Sequence, residues 1–326
     1  MEIRSLEQSE KIDSFIQKIP HCPVLQSTLW AAVQQKEGRP FLYIGIYNDA
    51  EDLVGIALLI EYPLPFCKTY WYSPRPIIDP AHVQNYSTYI KKRLNKKCVL
   101  FWKIEGITKL PTAPAECTVA NAHPLQYQET FVIDITKPQD ELLCAMKPKT
   151  RYNIRLAEKK AVHIRWSKNV EDVDVFYNLL SHTAKRQHIA IHSKDHYRNI
   201  VDILGKKNAA ELAIATYHNT PIAANLLTFF GDTATYLHGG SEDVHREKMA
   251  PYLLQWESIR EARRRGCLWY DMGGCATAGW KRNAWAGITR FKAGFGGELH
   301  RFGETYDVVF NKPWYRLYKW VQQIKK

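Results

Sequence analysis

The sequence predicts an α/β (α+β) protein of two tandem units, each a mixed sheet flanked by helices, and three observations carry that prediction. At 326 residues the chain suits two domains of about 150 residues each. Hydrophobic residues make up 45% and charged residues 24%, a mixture that builds packed cores rather than disordered chain. One order of elements also occurs twice: a hairpin, a third strand, a Pro or Gly break, a helix and a further strand.

In the first unit a helix is expected from Ser9 to Lys18, then a second one capped by Ser27 or Thr28, whose side-chain oxygens can accept from the free amides of a first helical turn. Phe41–Tyr47 and Leu53–Tyr62 are rich in β-branched, aromatic and aliphatic residues, and Asn48-Asp49-Ala50-Glu51-Asp52 between them supplies hairpin turn chemistry. Thr69–Tyr72 is a third strand ended by Ser73-Pro74-Arg75-Pro76, followed by a helix over 80–94 and a strand over 99–104. The second unit repeats this with strands over 212–217, 221–229 and 233–238, a break at Gly239-Gly240, a helix from Pro251 stopped by Gly266, and a strand over 268–270. Phe131–Ile135 reads as the closing strand of the first unit. The boundaries expected are therefore 1–138, completed by the returning segment 301–326, and 139–300.

Lys and Arg number 45 against 33 Asp and Glu, so the surface field attracts polyanions such as tRNA, nucleotide diphosphates or anionic lipid headgroups. Met1–Glu7 lacks the apolar core of a signal peptide and no 18 apolar residues run together, which points to a cytoplasmic protein, at most peripheral at the inner face of a membrane. The seven cysteines, Cys22, Cys67, Cys98, Cys117, Cys144, Cys267 and Cys275, are odd in number and scattered. That suits reduced, mostly buried thiols rather than a disulfide framework or a zinc site.

Three segments carry candidate chemistry. The stretch Met146–Lys160 sets Lys147, Lys149, Arg151, Arg155 and Lys159 at helical spacings, either as a solvated face or as a phosphate or RNA contact, with Tyr152 able to stack on a base or to anchor in the core. In Gly287–Glu298, Lys292 lies between Phe291 and Phe295. A lysine held against apolar walls presents a weakly screened positive charge to a developing oxyanion; the plainer reading is a strand with an exposed lysine before a Gly-rich turn. Tyr236-Leu237-His238-Gly239-Gly240-Ser241 and Asp271-Met272-Gly273-Gly274 end neighbouring strands in glycine pairs, a natural floor for a cleft, and Ser241 lacks the G-x-S-x-G setting of a nucleophile. His188, His192 and His196 recur every fourth residue, but Ile189-Ala190-Ile191 is a poor helix interior, so a loop lining a substrate cleft is preferred to a metal site.

Taken together, Lys149-Thr150-Arg151-Tyr152-Asn153-Ile154-Arg155-Leu156-Ala157-Glu158-Lys159, His238–Ser241, Ala250-Pro251-Tyr252-Leu253-Leu254-Gln255-Trp256, Tyr270–Gly274 and Arg290–Gly297 resemble the Fem-type (FemABX) peptidoglycan bridge aminoacyltransferases over nearly the whole chain, in the short form without a coiled-coil arm. The resemblance implies two GCN5-related N-acetyltransferase-like domains with a precursor cleft between them. It also implies attack on an aminoacyl-tRNA ester by the side-chain amine of the third stem-peptide residue of a UDP-linked or lipid-linked muramoyl-pentapeptide. No cofactor or metal is called for, and a monomer suffices. On this resemblance Phe291 and Lys292 fall at the acyl-transfer site, Asp271 is the best protein candidate for a base, and Trp30, Lys36, His192, His196, Tyr236, His238 and Ser241 face the precursor. His192, His196 and His238 stand where the family has Arg and Tyr side chains. The alternatives are an acyl-coenzyme-A-dependent N-acyltransferase on the same fold and a non-catalytic tRNA-binding or membrane-surface protein. Against the former, Arg246-Glu247-Lys248-Met249-Ala250-Pro251 is not a glycine-rich pyrophosphate turn.

Overall fold

The computed structural model describes every residue except 22–23, 95–97, 109–117, 277–282 and 325–326, so Cys22 and Cys117 lie outside the described residues. The chain divides into two compact units, one of Met1–Ile16, Leu25–Gln128 and Phe302–Lys326 and the other of Gln17–Val24 and Glu129–Arg301. In chain order the first unit opens with β1 (Glu2–Ser5), α1 (Ser9–Ile16), α2 (Thr28–Lys36), β2 (Phe41–Tyr47), β3 (Leu53–Leu64), β4 (Lys68–Pro74), α3 (Val83–Arg93), β5 (Val99–Ile107) and β6 (Thr118–Asn121). The second unit holds β7 (Glu129–Asp134), α4 (Gln139–Ala145), α5 (Pro148–Lys159), β8 (His163–Ser167), α6 (Asp172–Gln187), α7 (Lys194–Gly205), β9 (Ala210–Tyr217), β10 (Thr220–Phe230), β11 (Thr233–Ser241), α8 (Ala250–Arg264), β12 (Trp269–Cys275), α9 (Asn283–Lys292) and β13 (Glu298–Arg301). The chain then returns to the first unit with β14 (Glu304–Val309) and α10 (Lys312–Ile324).

Local chemistry accounts for most of these elements. Ser27 caps α2 by accepting from the Trp30 amide, and the Asn48 side chain accepts from the Ala50 and Asp52 amides to close the β2–β3 hairpin. The expected helix over 80–94 begins as a 3-10 turn, Pro80–His82, capped by Asp79, before α3 proper.

Each unit has a seven-stranded sheet, ordered β1-β2-β3-β4-β5-β14-β6 in the first and β8-β9-β10-β11-β12-β7-β13 in the second. Their pairing senses agree position by position, antiparallel everywhere except at the central β4–β5 and β11–β12 pairs, which are parallel. The repeated order of elements in the sequence thus has a matching repeat in topology. One reading changes: Phe131–Ile135 does not close the first unit, because β7 hydrogen-bonds between β12 and β13 in the second sheet. The sixth place in the first sheet is filled by β14 from the far end of the chain. A strand is assigned by its partners, and alternation along Phe131–Ile135 says nothing about which partner it has.

The first core centres on Ile44, Leu59, Tyr86, Trp102 and Ile104. The second gathers Ile154, Leu227, Leu254, Tyr270 and Phe295. Of the thiols, Cys267 and Cys275 are buried while Cys67 and Cys144 are exposed, so burial holds for only part of the set.

Candidate functional site

In the second unit β11 and β12 run paired through Thr233↔Trp269, Ala234↔Tyr270 and Thr235↔Asp271 and then part. The cause is local. Gly273 adopts φ +68°, a left-handed conformation that disfavours side chains, and a Cβ there would collide with the Tyr236 carbonyl. Lys292 delivers its ammonium to this opening from the last residue of α9, and the segment is a buried helix end rather than a strand with an exposed lysine.

Lys292 is only 6% exposed. Its Nζ donates to the Gly274 carbonyl at 2.7 Å and lies 5.1 Å from the centre of the Tyr236 ring. Loss of hydration pulls its pKa down to about 8, opposed by the charges of Asp271 and Cys275. Asp271 Oδ1 accepts from the Gly273 amide at 2.7 Å and from the Thr130 hydroxyl. Phe291 packs edge-on against Tyr252 and Phe295, with ring centres 5.1 and 5.2 Å apart. It thereby anchors the end of α9 that carries Lys292.

The histidines meet through a turn, not along one helix. His188 ends α6 in a left-handed conformation, His192 lies in the following loop, and His196 falls in the first turn of α7, which Ser193 caps. The His192 and His196 rings sit 4.2 Å apart, and His192 and Tyr197 lie 6.0 and 5.3 Å from His238. Burial drives the His238 pKa down to about 3, helped by His192, His196 and Lys292. Among the described residues no group of three His, Cys, Asp or Glu has metal-holding geometry. Burial also raises the Tyr236 phenol above its ordinary range. The Tyr236 hydroxyl and Asn225 amide oxygen fill the space where a Gly239 side chain would stand. Ser241 is tied to α6, its amide donating to Thr183 Oγ1 at 2.9 Å and its hydroxyl accepting from Arg186 at 3.4 Å.

The basic stretch forms α5, whose buried side is Thr150, Asn153, Ile154 and Ala157. Lys147, Lys149, Arg155 and Lys159 are exposed, as is Tyr152 at 64%. Arg151 differs: its guanidinium donates to the Leu143, Cys144 and Met146 carbonyls and so caps the end of α4. Trp30 and Lys36 belong to α2 of the first unit, Trp30 buried and Lys36 exposed.

The sequence assigned no role to Thr130, Tyr197 or Asn225, and named Gln255 only as part of a motif. The last two had a visible signal, each a lone amide inside an apolar run. Asn225 Nδ2 donates to Gln255 Oε1 at 2.9 Å and Gln255 Nε2 to Tyr270 Oη at 2.8 Å, a buried chain that ties β10, α8 and β12 together behind the opening. Thr130 carried no such mark, since its role depends on β7 lying beside β12.

Fold and site define a class: paired acetyltransferase-like α/β units, one of them with a buried lysine at the parting of its central parallel strands. A structure described as the crystal structure of FemX superposes with TM-score 0.81 over 97% of this chain and 99% of that one, at 20% identity. A tandem GNAT protein from the clavulanic acid pathway superposes with TM-score 0.56 over 95% and 98% of the two chains, at 9% identity; these likenesses concern the fold. The chain belongs to the FemAB family, whose profile matches residues 8–110, 102–220 and 206–323. A lipid II:glycine glycyltransferase of Staphylococcus epidermidis is 24% identical over 62% of this chain and 62% of its own length. One of the same name from Staphylococcus haemolyticus is 22% identical over 97% of this chain and 94% of its own.

Proposed function

We propose that this chain is an aminoacyltransferase of peptidoglycan bridge formation, taking an amino acid from aminoacyl-tRNA and joining it to the side-chain amine of the third stem residue of a muramoyl-pentapeptide. The relatives' names favour a lipid-linked acceptor over a UDP-linked one. The observation that carries the reading is the buried Lys292 ammonium, held by the Gly274 carbonyl at 2.7 Å where β11 and β12 part.

The ester is already activated, so the enzyme orients the reactants, steadies an oxyanion and lets protons leave. The acceptor ammonium loses a proton and its nitrogen attacks the ester carbonyl carbon. The Lys292 ammonium donates to the oxygen as it becomes negative, in a setting with little water to screen it. The carbonyl re-forms, the C–O bond to the ribose breaks, the ribose oxygen takes up a proton, and the new amide nitrogen sheds its remaining extra proton. Asp271 holds the Lys292 charge in place and is the protein group available to accept the acceptor's proton. His192, His196 and His238 together with Tyr236 and Ser241 form the side of the site offered to the precursor, and Trp30 and Lys36, on α2 of the first unit, are further candidate precursor contacts in their own right. Lys147, Lys149, Arg155 and Lys159 meet tRNA phosphates, while Arg151 shapes that surface by capping α4.

Acyl-coenzyme A is disfavoured as donor because α8 starts with Pro251 in its first turn, which removes a backbone donor that a pyrophosphate would use. The deciding experiment supplies labelled aminoacyl-tRNAs or acetyl-coenzyme A together with lipid-linked and UDP-linked pentapeptides and follows label into peptide. Label is expected from aminoacyl-tRNA; transfer from acetyl-coenzyme A alone would overturn the reading.

A further inference from the structure

The first unit carries an apolar face that its own core does not cover. On α10, Trp314, Tyr315 and Tyr318 pack against Leu100, Phe101 and Val309, which leaves the outer side of the helix to solvent. Leu317, Trp320, Val321 and Ile324 are all exposed there, Trp320 at 58% and Ile324 at 64%. At about 100° per residue these four fall within one stripe, and Lys312, Arg316 and Lys319 fall together along its flank. The turn between β3 and β4 extends the patch: Phe66 is 76% exposed, its ring centre 6.0 Å from that of Trp314. Lys68 beside it lies 4.9 Å over the same indole.

Neither α10 nor the Pro65–Lys68 turn contains an acidic residue, and the sequence after Ile324 reads Lys325-Lys326. Cations on one flank of the stripe and on the adjoining turn, with no acidic residue among them, match an anionic lipid surface more closely than a protein partner's groove. Exposed Trp and Phe suit the boundary between headgroups and acyl chains, where an indole can bury its ring and keep its N–H hydrated.

We infer that α10 and the Phe66 turn dock this protein on an anionic lipid bilayer, with the Leu317, Trp320, Val321 and Ile324 stripe and Phe66 inserted among the headgroups. Lys68, Lys312, Arg316 and Lys319 then face the phosphates. This goes beyond the transfer reaction and does not depend on it, since binding is read without any substrate.

The test is co-sedimentation of the full chain with vesicles of phosphatidylglycerol and phosphatidylcholine in equal parts, or of phosphatidylcholine alone. Binding is expected to the anionic vesicles, weakening as salt rises, with a blue shift in tryptophan emission that Trp320→Phe reduces. Trp320→Glu with Ile324→Glu is expected to weaken binding at least about tenfold. Lys312→Glu with Arg316→Glu, which leaves the apolar stripe intact, is expected to do so by a similar factor. Equal affinity for both vesicle types, or undiminished binding by either double variant, overturns the inference. So does a lipid-free dimer in sedimentation that Trp320→Glu with Ile324→Glu dissolves, because the stripe would then face a second copy of the chain.

Discussion

Among the described residues each unit buries one lysine near its central parallel strands, and the two are held in opposite ways. In the first, β4 and β5 stay paired as far as Pro74↔Glu105. Glu105 accepts from the Tyr72 hydroxyl at 2.6 Å and from the Leu125 and Gln126 amides, and Lys103 meets Asp307 at 2.8 Å with both side chains almost wholly buried. In the second, the pairing stops at Thr235↔Asp271, and Lys292 has a carbonyl at hydrogen-bonding distance in place of a carboxylate. One topology thus yields a closed ion pair in one copy and an under-solvated cation at an opening in the other. A charge kept partly uncompensated costs stability and is useful only where charge develops.

The sharpest test of that contrast removes each lysine in turn. Lys103→Met leaves Asp307 buried without its cation and is expected to cost about 3–5 kcal/mol in denaturant unfolding, with the per-molecule transfer rate of the folded fraction unchanged. Lys292→Met is expected to lower kcat on the order of 100-fold and to leave the protein as stable as before or more so at pH 7. Matching losses of activity from the two would break the comparison.

Proton linkage tests the under-solvated side of that contrast next, at Lys292. Lys292 binds its proton less tightly folded, at about 8 against an ordinary 10.5, so between those values the unfolded chain holds the extra proton and stability rises with pH. The gain expected is up to about 3 kcal/mol, and it should vanish in Lys292→Met. Rate should fall above pH 8 as the ammonium is lost. His238 works from the other side. Its pKa of about 3 against an ordinary 6.5 means stability is lost as pH falls from 6.5 toward 3, by a few kcal/mol at most, and His238→Phe should flatten that limb of an acid titration.

Gly273→Ala should force β11 and β12 apart through the Tyr236 carbonyl, costing about 2 kcal/mol in unfolding measurements and reducing transfer with it. Arg155→Glu with Lys159→Glu changes only exposed positions of α5 and should leave stability within about 0.5 kcal/mol. In filter binding the same pair should weaken tRNA affinity about tenfold. Unchanged tRNA affinity would remove α5 from the proposed donor surface.

Much of this arrangement was readable beforehand, for particular reasons. The α2 cap at Ser27, the Asn48 hairpin and the Pro251 start of α8 are set by side chains within a few residues of the backbone they govern. Lys292 stood out because two phenylalanines flank it, and the glycine pairs marked the strand ends. Arg151 did not stand out, because its partners lie on α4 and a surface arginine looks the same in sequence whether it caps a helix or waits for a phosphate. The stripe on α10 likewise carries no mark of exposure in the sequence, since one face of an amphipathic helix normally meets a core.

The sequence by itself determined the elements, their repeated order and the residues able to do chemistry, because caps, turns and periodicity act over short separations. Only the tertiary structure decided that β7 joins the second sheet and β14 the first, and that three histidines from a loop, a helix and a strand come together. It also decided that one buried lysine is neutralised while the other keeps a weakly compensated charge. Those outcomes depend on partners outside the local segment, 18 residues away for Lys292 and Gly274 and far more for β7 with β12 and for β14 with β5, and nothing local to Phe131, His238 or Lys292 encodes which neighbour the fold will supply.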